Sequence, residues 1–137
     1  MTIFNQKMEM ILLVQVLGAL YGLLAVVFGA FGAHALKKSF TEDQLKSFET
    51  GVKYQMYHGI LLLVLGFNMG FTTTLESYMA YCFILGVFLF SFSIYGLCLS
   101  ASKGRKWKWL GPVTPLGGLL LVIGWGLLGY SFIANIV

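Results

Sequence analysis

Four stretches of this chain carry no Lys, Arg, Asp or Glu: Met10–Leu36, Tyr54–Leu75, Ser77–Ser102 and Trp109–Val137. Each is longer than the roughly 20 apolar residues needed to cross about 30 Å of hydrocarbon as a helix. A soluble core can hide one such run. Four of them leave no amphipathic surface to face water, and only 10% of the residues are charged, against about 25% in an ordinary soluble domain. The pattern predicts an all-α membrane protein, with four transmembrane helices in a compact bundle. One integral membrane domain spans residues 1–137, with crossings at about 10–36, 54–72, 77–101 and 112–135.

The tripeptide Ala33-His34-Ala35 imitates a signal-peptidase site behind an apolar run. A signal-peptide core is only about 7–15 residues, so this longer run reads as a first span. Four spans put both termini and the second connection on one side of the membrane. That side holds Lys7 as its one basic side chain. The first connection holds Lys37, Lys38, Lys46 and Lys53, and the third holds Lys103, Arg105, Lys106 and Lys108. Basic residues in short loops stay in the cytoplasm, so both basic connections are expected inside and both termini outside. The net charge of +4 is then a topology signal, and no nucleic-acid partner is expected. In "KGRKWKW" (103–109) the interleaved Trp107 and Trp109 fit an interfacial aromatic belt. Lys103, Arg105, Lys106 and Lys108 would favour anionic lipid head groups by about 1 kcal/mol each.

The first connection carries a helix-start signature. Thr41 and Gln44 have the spacing of a capping box, and Phe40 and Leu45 that of a hydrophobic staple. Glu42 and Asp43 fall in the first turn, where the helix dipole favours anions. Leu45, Phe48 and Val52 share one face, while Glu49 and Lys53 are paired at i, i+4 on the wetter one. A capped amphipathic helix at the cytoplasmic interface, leading into the second span, is expected.

Small residues recur in the first span at Gly18, Gly22, Ala25, Gly29, Gly32 and Ala33. They fall within about a 100° arc of a helix, a stripe that lets helices approach closely in lipid. Packing within the chain is the usual meaning, and contact with a second copy is the sharper alternative. Gly117 and Gly124 hint at the same device in the fourth span.

The polar residues within the runs are few. Tyr54, Gln55, Tyr57 and His58 cover about a 160° arc at the entry to the second span. The second span starts on the cytoplasmic side, where the first ends, so antiparallel neighbours would bring His34 and His58 to similar depth. Ser93, Tyr95 and Thr114 approach the same cytoplasmic level, and together these eight residues form a candidate polar cluster. Intramembrane ionisable side chains are functional candidates by default.

The segments "GAFGAHAL" (29–36), "FETGVKYQMYHG" (48–59) and "TPLGG" (114–118), in this order, carry a resemblance. The chain resembles, over essentially its whole length, the bacterial family called domain of unknown function 423, related to eukaryotic transmembrane protein 256. In the third span, "FSFSIYGL" has Phe92 where such relatives usually have glycine. The resemblance implies a four-helix protein of the bacterial cytoplasmic membrane and brings no reaction or substrate with it.

The residues themselves offer little chemistry. Cys82 and Cys98 lie sixteen positions apart on one helix, about 24 Å by rise, and cannot pair with each other. No CxxC, HExxH, GxSxG or P-loop is present. A metal or haem between His34 and His58 is geometrically open. Two ligands make a thin site, however, and His34 points about 150° away from the glycine stripe. The plainer expectation is that both imidazoles hydrogen-bond across helices, with no cofactor. Three function classes follow: a non-enzymatic packing or accessory module, for which a homo-oligomer or a larger membrane complex is the candidate setting; a small oligomeric channel or carrier; and, third, an enzyme or haem protein. The first best fits a chain with no nucleophile motif and no charge within its spans.

Overall fold

A computed structural model of the protein describes residues 2–136. It is all-helical. Helix α1 spans Ile3–His34, α2 Glu42–Asn68, α3 Thr74–Val87, α4 Ser93–Ser102 and α5 Val113–Ala134. A π-helical turn, Phe88–Phe92, joins α3 to α4 without a break. Three rods are long and apolar enough to cross a membrane: Ile3–His34, Thr74–Ser102 and Lys108–Ala134. The second helix, 27 residues long, opens with the more polar sequence from Glu42 to His58, which lowers its hydropathy.

The start of α2 forms as its residues dictate. Thr41 accepts from the Gln44 backbone N–H at 3.2 Å, and the Gln44 side chain accepts from the Thr41 N–H at 3.0 Å. Phe40, with the partly buried Leu45, joins an apolar cluster with Leu36, Phe48, Ile94, Tyr95 and Cys98. The capped segment and the apolar segment that follows it are one element. One continuous helix runs from Glu42 to Asn68, antiparallel to α1 along its length. Gly18 abuts Gly59, Gly29 abuts Val52, Gly32 abuts the Phe48 ring, and Gln15 donates to the Gly66 carbonyl at 3.2 Å. The amphipathic half therefore buries its apolar face, Phe48 and Gly51, against the rest of the bundle.

The second hairpin pairs the α3–α4 rod with α5. Gly117 lies against the backbone of Leu89 and Phe90, Gly124 against the Phe83 ring and Gly86 against Leu121. These contacts leave no room for a Cβ. Met79, Phe83, Val87, Ser91 and Tyr95, each four residues after the last, are all buried. In a regular helix a step of four drifts by about 40°. The wider π turn reduces that drift and keeps Ser91 and Tyr95 facing α2.

Between α2 and α3, Phe71 adopts φ +49° with its ring buried. A bulky side chain in the left-handed region is strained, and burial of the ring in the main core offsets the cost. The next residues close the turn with a second capping box, Thr73 with Glu76, whose carboxylate also accepts from the Thr72 N–H at 2.7 Å. Up-and-down connectivity brings the α1–α2 and α4–α5 connections to one end of the bundle. There Asp43, Cys98 and Lys106 line one cleft. Lys7 and Phe71 line another cleft at the opposite end.

Candidate functional site

Helix α2 supplies the polar centre of the bundle. Gln55 is fully buried. Its amide donates to the Tyr21 carbonyl of α1 at 2.9 Å, and its oxygen accepts from the Tyr95 hydroxyl of α4 at 2.7 Å. One side chain thus ties three helices. A turn earlier, Ser91 of the π turn donates to the Gly51 carbonyl at 2.7 Å. This contact requires close approach, because a Cβ on Gly51 would meet the Tyr95 ring at 2.8 Å. Tyr21 returns a bond from α1, its hydroxyl donating to the Ile84 carbonyl at 2.7 Å. Separately, Ser93 and Thr114 join their hydroxyls at 2.6 Å between α4 and α5.

His58 sits one turn deeper than Gln55 and is buried. Its Nε2 accepts from the Trp125 indole N–H at 3.0 Å, and its Nδ1 lies 2.7 Å from the Tyr54 carbonyl. This pattern assigns the neutral tautomer with the proton on Nδ1. The ring packs edge-to-face on Trp125 and against Phe83, with Tyr54 stacked above it. Both ring nitrogens are engaged, so no lone pair is left for a metal ion. Among the described residues no group of three His, Cys, Asp or Glu side chains comes together.

The eight residues of the expected cluster are therefore divided. Gln55 and Tyr95 meet, as do Ser93 and Thr114. Tyr54 and Tyr57 are exposed on the outside of the bundle, at 42% and 59%. His34 is exposed at the last turn of α1. The expected shared depth of His34 and His58 is corrected by the hairpin register. Gly59 lies against Gly18 and Gly22, and Phe48 against Gly32, so His58 is level with Tyr21 and Gly22. The two histidines are then about 18 Å apart along the helix axis. The seven-residue turn from 35 to 41 sets α2 running back beside α1 from its first residues. The bis-histidine arrangement does not fit this geometry.

Sequence reasoning missed Gln15, Tyr21, Ser91 and Trp125. A glutamine and a tryptophan inside charge-free runs are the available signal, since both need hydrogen-bond partners in hydrocarbon. Which partner each finds depends on register.

A polytopic helical membrane protein with an internally bonded polar seam is the class these features define. The chain belongs to the family described as "Protein of unknown function (DUF423)", whose model matches residues 28–118. A UPF0382 membrane protein of Staphylococcus aureus is 40% identical over 110 residues, covering 80% of this chain and 86% of the relative. UPF0382 membrane proteins of Staphylococcus epidermidis and Staphylococcus haemolyticus are each 39% identical over the same length and coverage. No solved structure matches the chain. The matched segment contains Gln55, His58, Ser91 and Tyr95, while Tyr21 and Trp125 lie outside it.

Proposed function

We propose that the protein is a non-enzymatic, four-span structural or accessory module of the bacterial cytoplasmic membrane, with both termini outside. The observation that carries this reading is the closed interior. Among the described residues, every buried side-chain nitrogen and oxygen has a hydrogen-bond partner. A catalytic or transport site usually keeps polar groups free for its ligand. Here Gln55, His58, Ser91, Ser93 and Tyr95 spend their bonding capacity on holding helices together.

A fourth crossing by α2 is supported by its length and by its antiparallel run beside α1. Its polar groups turn inward, with Gln55 and His58 buried, while Ile60, Val64 and Phe67 face outward. The orientation rests on the eight basic side chains of the two connections at one end against Lys7 at the other. That basic end would rest on anionic head groups, at about 1 kcal/mol per cation near the surface. Cross-linking in membranes, followed by affinity purification of the tagged chain, tests the accessory role. The expected result is a reproducible larger membrane assembly. Solute or ion flux through liposomes containing the pure protein, above that of empty liposomes, would overturn it.

A further inference from the structure

We infer that the cleft at the basic end is a binding site for one phospholipid, of the kind whose head group donates hydrogen bonds beside its phosphate. The cleft is about 370 Å³ and lies between the first turns of α2, the last turns of α4 and the start of α5. That volume is within the range of small-molecule sites. Its lining is chemically mixed. Lys106 of the α4–α5 connection lines it with a cation; Asp43 and Ser47 of α2 line it with a carboxylate and a hydroxyl. Ile94, Leu97 and Ala101 of α4 add an apolar wall. A phosphodiester pairs with the Lys106 ammonium. The neighbouring carboxylate would repel a bare anion, but accepts hydrogen bonds from a head group that carries hydroxyls or a primary ammonium. The apolar wall suits the upper part of an acyl chain. The exposed Trp107 and Trp109 beside the cleft are the side chains that favour the membrane–water boundary, where such a lipid is available.

This inference rests on the reading that the basic end lies at a membrane surface, but not on which face of the membrane that is. Nanodiscs of symmetric composition present the cleft to the same lipid in either orientation, so a failure of topology and a failure of binding read separately. The full chain is placed in phosphatidylcholine nanodiscs doped with phosphatidylglycerol, phosphatidylethanolamine or further phosphatidylcholine. Retained lipid is then counted by native mass spectrometry. One retained phosphatidylglycerol or phosphatidylethanolamine is expected, with no specific phosphatidylcholine. Lys106→Gln should weaken retention at least about tenfold, the size of one charge-assisted hydrogen bond, and Ala101→Trp should abolish it by filling the cleft. Lys108→Gln, which removes a charge outside the cleft lining, should leave retention within about twofold. Equal loss from Lys106→Gln and Lys108→Gln would reduce the effect to diffuse surface charge and overturn the site. So would equal retention of phosphatidylcholine, or displacement of the lipid by millimolar glycerol phosphate.

Discussion

Two side chains of α2 carry the interior of this protein, and each does so by using both of its polar ends. Gln55 donates to α1 and accepts from α4. Removing its amide orphans the buried Tyr95 hydroxyl, so Gln55→Leu should cost about 1–3 kcal/mol, more than Tyr95→Phe alone. Thermal unfolding in detergent checks the order; a Tyr95→Phe variant that is the less stable of the two would contradict it. His58 and Trp125 make a second such unit. Buried hydrogen bonds between membrane helices couple by about 0.6–1.7 kcal/mol in double-mutant cycles, and a value in that range is expected for His58→Leu with Trp125→Phe. His58→Gln should be milder than His58→Leu, because an amide can still accept from the indole and donate. Strictly additive effects would mean that the pair contributes nothing as a pair.

At the level of the helices, glycines set how closely the rods approach, but not every glycine in the stripe has the same duty. A Cβ on Gly59 would sit 3.1 Å from both the Gly18 carbonyl and the Gly22 amide, and one on Gly18 would lie 2.9 Å from the Gly59 carbonyl. A Cβ on Gly22 itself meets nothing within 4 Å. Gly22 contributes its bare backbone to Gly59, not space for a neighbour. Gly59→Ala and Gly117→Ala should therefore lower the melting temperature. Gly22→Ala should leave it unchanged or raise it, since the gain in helix propensity is at most about 1 kcal/mol. Equal losses at Gly22 and Gly59 would show that α1 meets something at Gly22 other than this chain. The loops obey local rules. Thr73→Ala should cost about 1 kcal/mol, since it removes the side-chain half of the box that starts α3.

For the whole molecule, the proposed orientation rests on the charges, while the hairpins set the shape. A periplasmic phosphatase fused to the C-terminus should be active, and a fluorescent protein fused there dark, if the basic connections lie inside. The reverse pattern would refute the orientation while leaving the bundle intact. Replacing Lys103, Arg105, Lys106 and Lys108 with Gln should weaken that bias. Adding four lysines near Lys7 as well should invert it in part of the population, read as a mixture of both reporter signals.

Much of the architecture was legible from spacing alone. The absence of charge over four long runs demands helices, because a backbone in hydrocarbon must satisfy its own hydrogen bonds. Thr41 and Gln44 announce the start of α2, and the Gly18–Gly32 stripe marks a face for close packing; each signal is local and survives without knowledge of any partner. Part of the candidate cluster was legible too, since Gln55, Tyr95, Ser93 and Thr114 are polar where hydrocarbon tolerates few such groups. The pairings were not. His34 and His58 looked level because the first charge-free run ends, and the second starts, on the same side. The helix instead begins immediately after the turn and slides past α1, so that His58 reaches the depth of Tyr21. That register comes from glycine surfaces meeting, Gly59 on Gly18 and Phe48 on Gly32, and from a π turn that keeps Ser91 and Tyr95 facing α2. Sequence determined that this chain is a helical membrane protein with a few costly polar groups inside. Only the tertiary structure decided which of them meet, because hydrogen bonds act over about 3 Å, and a shift of one helical turn moves a side chain by about 5.4 Å.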